Sequence, residues 1–296
     1  MPPPTPIRGL GPDSALGDAA RRILAGRLAD ARHPEAQLDA TTLDVDAVHD
    51  MRVATRRLRA ALQVFRATGK LTRLEVDVKR LQDALGDVRD LHVQDAWLGA
   101  AAKGQKDAGK ALLDLRRTQR SGLKEREKTL RAELGRWTER TVPRLLKKLD
   151  TLEDSHRFAS KRARGHLRLR LRRVEKRLER YAEAPDAASA HALRRDLKKL
   201  RYELEIFQPA FRRTVGALLG VLVPLQDGLG ELHDADVRLE LFERAAAEAP
   251  TGQRKAARKL LPQAREERAE RSAEIAREVQ RWHAEAIPKR LRKALT

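Results

Sequence analysis

Apolar positions along this chain recur every three or four residues, the spacing that places side chains on one face of an α-helix. The clearest run is Val48 to Phe65, where Val48, Met51, Thr55, Leu58, Leu62 and Phe65 form a mostly apolar seam. His49, Arg52, Arg56 and Arg59 step by three and four beside it. They form a basic stripe about 100° away around the helix. The same two faces return between Ala190 and Phe207. There the seam is Ala190, Leu193, Leu197, Leu200, Leu204 and Phe207, and the stripe is His191, Arg194, Lys198 and Arg201.

The pattern predicts a first helix from an N-cap at Ser14 to about Arg32, broken by His33-Pro34. Ala36 to Asp46 reads as a polar connection. The organising helix then runs to about Thr68 with Gly69 ending it. A third helix covers Leu71 to about Ala101, and a long fourth follows the loop Lys103 to Lys110, with Pro143 kinking or restarting it near its end at Leu149. Later helices are expected near Ala159–Ala184, Ala188–Phe207, Arg212–Ala247 and Arg254–Trp282, with a tail helix from Ile287. No stretch alternates with a period of two, so no sheet is expected.

Further blocks repeat. LQDALGDVRDLHV begins at Leu81 and LQDGLGELHDADV at Leu225, 144 residues later, while His191 follows His49 by 142. Trp137 with Val142-Pro143 is echoed by Trp282 with Ile287-Pro288 at an offset of 145. Offsets this constant mark an internal duplication. The expected organisation is a disordered tail over residues 1–13, one half over 14–150 and a second over 156–296, joined near Thr151–Ser155. Long helices with short connections bury their seams most simply as antiparallel bundles. The fold class expected is all-α: two antiparallel four-helix bundles related by a pseudo-two-fold.

The two His-led stripes and the LGDVRD/LGELHD blocks resemble the CHAD family, the conserved histidine α-helical domain. The resemblance extends from about Ser14 to the end of the chain and appears in both halves. It implies two related helical bundles that bind inorganic polyphosphate. The halves are not identical: Val53 corresponds to Arg195, Arg56 to Lys198, and Arg89-Asp90 to His233-Asp234. His92 stands where the family often has Asp, and its counterpart is in the pair Ala235-Asp236.

Composition agrees with long helices carrying wide solvated faces: 36% of residues are charged and only 3% aromatic. The net charge of +20 attracts polyanions such as nucleic acid, acidic lipid or polyphosphate, and without such a partner it is self-repelling. There is no cysteine, so disulfides and thiolate sites are excluded. The start, MPPPTPIRGLGPDS, has no apolar run of signal-peptide length, and Val215 to Leu225, closed by Pro224, is short for a membrane span and reads as a buried helix. A cytoplasmic location is expected, with polyphosphate granules as the family-based refinement.

Arginine offers a planar fork of donors matched to phosphate oxygens, and it stays charged at any accessible pH. Three or four cations on one helix face span about 15 Å, so a phosphate chain lying along them gains by multivalency. A histidine beside phosphate can become cationic and add a donor. The candidate binding set is His49, Arg52, Arg56, Arg57, Arg59, His191, Arg194, Lys198, Lys199 and Arg201, with Arg21 and Arg22 beside them. Arg168, Arg172, Lys147, Lys148, Arg292 and Lys293 are further cations that could widen the surface. The competing reading is a solvated or salt-bridged helix face for the arginines and an internally satisfied imidazole for each histidine.

Asp83, Gly86 and Asp90, and the matching Asp227, Gly230 and Asp234, supply too few oxygens for a hard cation. A structural role is expected instead: glycine for close helix approach, aspartate to orient an arginine of the organising helix. Neither metal nor cofactor is expected. The leading function is non-catalytic polyphosphate binding. The alternatives are an enzyme or regulator acting on polyphosphate or triphosphate, and a nonspecific nucleic-acid binder. A phosphoryl-transfer enzyme needs metal-holding carboxylates and usually a phosphate cradle. No P-loop is present, and Glu125, Glu127 and Lys128 only approach the E-x-E-x-K pattern, with the lysine one position early. Single-strand binders interleave stacking aromatics, whereas five Phe, three Trp and two Tyr here fall mostly on apolar seams. Trp137 and Trp282 are expected in the core. The oligomeric state is not legible in the sequence.

Overall fold

The computed structural model describes residues 4–38, 43–103, 109–154 and 156–294. In chain order the helices are α1 (Leu16–Arg32), α2 (Val45–Val64), α3 (Arg66–Gly69), α4 (Thr72–Lys103), α5 (Gly109–Ser121), α6 (Leu123–Arg136) and α7 (Val142–Leu149). They continue as α8 (Lys161–Glu183), α9 (Ala187–Phe207), α10 (Arg212–Glu248), α11 (Thr251–Ala284) and α12 (Ile287–Ala294). A 3₁₀ turn, Pro34–Gln37, follows α1, and a π-helical turn, Trp137–Thr141, joins α6 to α7. Among the described residues there is no strand, only the isolated bridges Ala15–Arg157 and Leu38–Leu43. The fold is all-α.

Both seams are core. Val48, Met51, Thr55, Leu58, Leu62 and Phe65 are all buried, as are Ala190, Leu193, Leu197, Leu200, Leu204 and Phe207. Thr55 fits there because its hydroxyl donates to the Met51 carbonyl one turn back. Trp137 and Trp282 are fully buried.

Several expectations are corrected. The start of the chain, expected to be a disordered tail, lies against α1 where it is described. Leu10 is buried, Arg27 donates to the Thr5 carbonyl, and Ala159 N–H donates to the Pro12 carbonyl. These contacts cover apolar surface and satisfy backbone groups that a free tail would leave to water. Ser14 does not cap α1: its hydroxyl accepts from Gly11 N–H, and Ala15 holds the N-cap position. The organising helix stops at Val64, and the left-handed residue after α3 is Lys70 (φ 50°), not Gly69. Gly69 instead makes room for Leu152, whose side chain occupies the space a Cβ would need.

The expected long fourth helix is divided. Residues 104–108 of the preceding loop lie outside the described residues, and the chain then breaks at Gly122 between α5 and α6. Glycine gains least from helical order, so a break is cheapest there. Pro224 does not close the apolar stretch but lies inside α10. One window of α10, within Thr214–Glu248, is long and apolar enough to cross a membrane. Its Val215, Leu218, Leu222, Leu225, Leu229 and Leu232 are nevertheless buried at helical spacing, and α10 packs along α11. That is the pattern of a core helix.

The chain forms two compact units. Unit 1 comprises residues 1–96, 118–160 and 205–211; unit 2 comprises 97–117, 161–204 and 212–296. In unit 1, α1 packs on α2, and an aromatic row joins Phe65, Phe158 and Phe207, with the last two stacked at 5.3 Å. Gly17 has a specific need for glycine. Its N–H donates to the Asp154 carbonyl, and a Cβ there would stand 2.6 Å from Asp154 N. Unit 2 has a separate cluster of Leu98, Leu112, Leu115, Phe242, Ala257 and Leu260, with Trp97 edge-on to Phe242.

Candidate functional site

In unit 1 the basic face is built on α2. Asp44 caps that helix, its carboxylate accepting from the backbone N–H groups of Asp46 and Ala47 at 3.0 and 2.8 Å. With the apolar seam buried, His49, Arg52, Arg56 and Arg59 emerge half-buried along the neighbouring side. Arg52 crosses to α4, where Nη1 donates to Asp90 Oδ1 at 2.8 Å. Its guanidinium lies over Gly86, where a Cβ would stand 3.4 Å from Nη2. The expected pairing of this block with the organising helix is therefore present, with glycine seating the arginine. Arg52 Nε is buried and has no hydrogen-bond partner among the described residues. Arg59 is held by Glu75, which also accepts from Gln63 at 2.8 Å. Burial pushes the Glu75 carboxyl up, but the hydrogen bonds from Arg59 and Gln63 outweigh it and hold the group below its ordinary value.

Two candidates of unit 1, Arg57 and Arg21, are tied into the fold, and a third, Arg22, is exposed. Arg57 is buried at 5% exposure and donates from Nε to Glu205, itself buried, at 2.9 Å. Its side chain therefore cannot share the solvent-facing stripe of Arg52 and Arg56. Arg21 donates to the carbonyls of Leu149 and Leu152, both at 3.2 Å, satisfying acceptors at the end of α7. Arg22 pairs with Asp18 one turn earlier on α1.

In unit 2 the basic face is carried by α9. His191 and Lys199 are exposed, while Arg194, Lys198 and Arg201 are half-buried. The His191 ring lies 5.6 Å from the ring of His233 on α10. On the other flank, α8 brings Arg170 and Arg173 towards Arg195 and Lys199. Burial and then these three guanidinium groups pull the Lys199 ammonium below its ordinary value, against the opposing Asp196. Arg170 is anchored by a two-oxygen pair with the buried Glu203, at 2.8 and 3.0 Å. Gly230 does not repeat the role of Gly86, since a Cβ there would meet nothing within 4 Å. Of the outlying cations, Arg292 pairs with the buried Glu175 and acts within the fold.

Four imidazoles share one electrostatic situation. His49 is held below the ordinary histidine value by burial, then by Arg89 and Arg52, against Asp50. His92 is lowered by burial and then by Arg89. His191 is lowered by burial, then by Arg194, Arg195 and Lys198. His233 is lowered by burial, then by Arg194, against Asp234. Burial is the leading cause in all four, and a phosphate nearby would oppose it; His92 differs in having Glu127 and Asp95 beside it. Sequence periodicity missed Arg89, His92, His233, Arg195, Arg170 and Arg173 as members of these faces. The available signal was that Arg89 and His233 hold the same place in the repeated block.

The CHAD domain profile matches residues 22–243, most of the chain. The chain belongs to the CHAD domain family. The crystal structure of the CHAD domain from the plant Ricinus communis is similar over 95% of this chain and 96% of its own, with TM-score 0.70 and 27% identity. PptA from Streptomyces chartreusis is similar over 90% of this chain and all of its own, with TM-score 0.63 and 17% identity, a likeness of fold alone. No curated protein matches the chain. As a CHAD domain the chain has an all-α fold, and among its described residues no three His, Asp or Glu side chains group to hold a metal ion.

Proposed function

We propose that this CHAD domain binds inorganic polyphosphate without catalysis, through the cationic faces of α2 and α9. The observation that carries the reading is the set of imidazoles placed among arginines. His49 stands with Arg52 and Arg89, and His191 stands with Arg194, Arg195 and Lys198. Concentrating like charge in this way costs stability in the free protein, and a polyanion repays it. Family membership supports a ligand-binding role. The repeated seams and blocks support a duplicated pair of four-helix bundles, each presenting one such face.

The binding set on this reading is His49, Arg52, Arg56 and Arg59 on α2, with Arg89 on α4. On α9 it is His191, Arg194, Lys198, Lys199 and Arg201. Arg57 and Arg21 serve the fold, and the exposed Arg22 on α1 stays a candidate at the edge of this set. A cytoplasmic protein that associates with polyphosphate granules is the setting that suits this activity. Nucleic acid would bind by charge alone, with a steep loss in salt and no base preference.

The test replaces Arg52, Arg56, Arg194 and Lys198 together by Ala and measures binding of long-chain polyphosphate. A control removes Lys103, Lys110, Arg254 and Lys255, the same charge from elsewhere. Near-complete loss in the first variant and modest loss in the control supports a defined site. Equal losses would assign binding to the net charge of the molecule. Competition with double-stranded DNA at equal phosphate concentration separates polyphosphate from nucleic acid as the preferred ligand.

A further inference from the structure

The two faces differ at one informative position. Where the block of unit 1 has Arg89, that of unit 2 has His233, 144 residues later. Arg89 is charged at any accessible pH. His233 is charged only when it takes a proton, and its ring lies 5.6 Å from that of His191.

We propose that the face of unit 2 is a proton-gated phosphate site, in which the His191–His233 pair takes up a proton when a phosphate chain binds; this rests on the polyphosphate reading above. The step is balanced simply. A solvent proton adds to an imidazole nitrogen lone pair, and the new N–H donates to a phosphate oxygen. No bond in the ligand is broken.

The surroundings explain why the proton waits for the ligand. Around His191 stand Arg194, Arg195 and Lys198 of its own helix, and His233 from α10. Around His233 stand Arg194, Lys198 and His191 from α9, and the opposing Asp234 on its own helix. In the free protein these cations oppose a further positive charge, and protonation of one ring opposes that of the other. A bound phosphate oxygen supplies the missing negative charge to both. In unit 1 the permanently charged Arg89 fills the place of His233, so that face has one proton-gated partner fewer beside His49.

The experiment titrates the full chain with long-chain polyphosphate at about pH 6, 7 and 8, in two buffers of different ionisation enthalpy, so that proton uptake is counted. Native protein should take up protons on binding, and its affinity should rise towards low pH by up to about tenfold per pH unit for each proton gained. His233→Arg copies unit 1, so it should take up measurably fewer protons than native and bind at least as tightly as native at about pH 8. His233→Gln should bind more weakly than native at about pH 6 and equally at about pH 8, with thermal melts confirming that both variants fold. Native binding without proton uptake, or native-like uptake in His233→Arg, would overturn the gate. Absence of binding at every pH would overturn the polyphosphate reading itself, and the gate with it.

Discussion

Arg52 and Asp90 meet at 2.8 Å from different helices, and the side-chain exposures are unequal, 19% for the arginine and 60% for the aspartate. The aspartate is the solvated partner that aims the guanidinium. Such a pair contributes little to stability, about 0–1 kcal/mol. Asp90→Asn should therefore leave the denaturation midpoint almost unchanged. Arg52→Ala should instead reduce polyphosphate binding severalfold while the far-UV circular dichroism stays native. A double-mutant cycle read in both stability and affinity separates the two roles.

Arg57 should behave in the opposite way. Arg57→Ala leaves Glu205 buried without its guanidinium, a loss of about 3–5 kcal/mol by precedent for buried pairs. Arg56→Ala, one position away on the half-buried stripe, should change stability by about 1 kcal/mol or less. Urea unfolding of the two variants makes the comparison directly. Similar losses in both would mean that Arg57 is not a buried structural partner.

The histidines give a pH prediction whose sign is fixed. All four are held below the ordinary value of 6.5 in the folded chain. On acidification the unfolded chain takes up these protons first, so their contribution favours unfolding as pH falls below 6.5 towards the folded values, and vanishes above it. The free protein should lose thermal stability between about pH 7.5 and 5.5, and saturating polyphosphate should restore it. Replacing all four histidines by Gln should flatten the profile. An unchanged profile would show that other groups set it.

Gly17→Ala should destabilise unit 1 because its Cβ would stand 2.6 Å from backbone, which cannot swing aside like a side-chain tip. Overpacking of this kind costs about 1–3 kcal/mol. Gly230→Ala, where nothing lies within 4 Å, should instead be neutral or stabilising, since Ala is the better helix former. Thermal melts of the pair test whether the two glycines have different duties.

Salt should weaken polyphosphate binding steeply, because each neutralised phosphate releases a counterion. The slope of log affinity against log salt should fall in magnitude in the Arg52, Arg56, Arg194, Lys198 variant. A slope unchanged from native would place the contacts elsewhere.

The seams were legible in the sequence because burial on one side of a helix leaves a period of 3.6, and every seam residue from Val48 to Phe65 is buried. The stripe was legible for the same geometric reason. Arg57 was misplaced because its partner Glu205 lies 148 residues away, and no local pattern announces a buried ion pair. The cations that α4, α8 and α10 bring to the faces were missed likewise, since periodicity within one helix does not say what its neighbour contributes. Lys70 shows a smaller failure: glycine was expected at the left-handed position, but Gly69 is needed for Leu152, and the next residue takes the turn.

Trp137 to Pro143 and Trp282 to Pro288 place an indole and a proline at the same separation, yet the backbone joins them differently. The first passes through a π-helical turn, in which Val142 N–H reaches the Trp137 carbonyl, and the helical path continues into α7. The second leaves the helix after Ala284, turns through Ala286 at φ 47°, and restarts as α12. A proline withholds one N–H from any helix that contains it, and these are two ways of absorbing the same missing donor: widen the coil or interrupt it. The chain thus holds the indole and the proline six positions apart in two geometries, with different residues, Thr138 to Val142 and His283 to Ile287, making up the path between them.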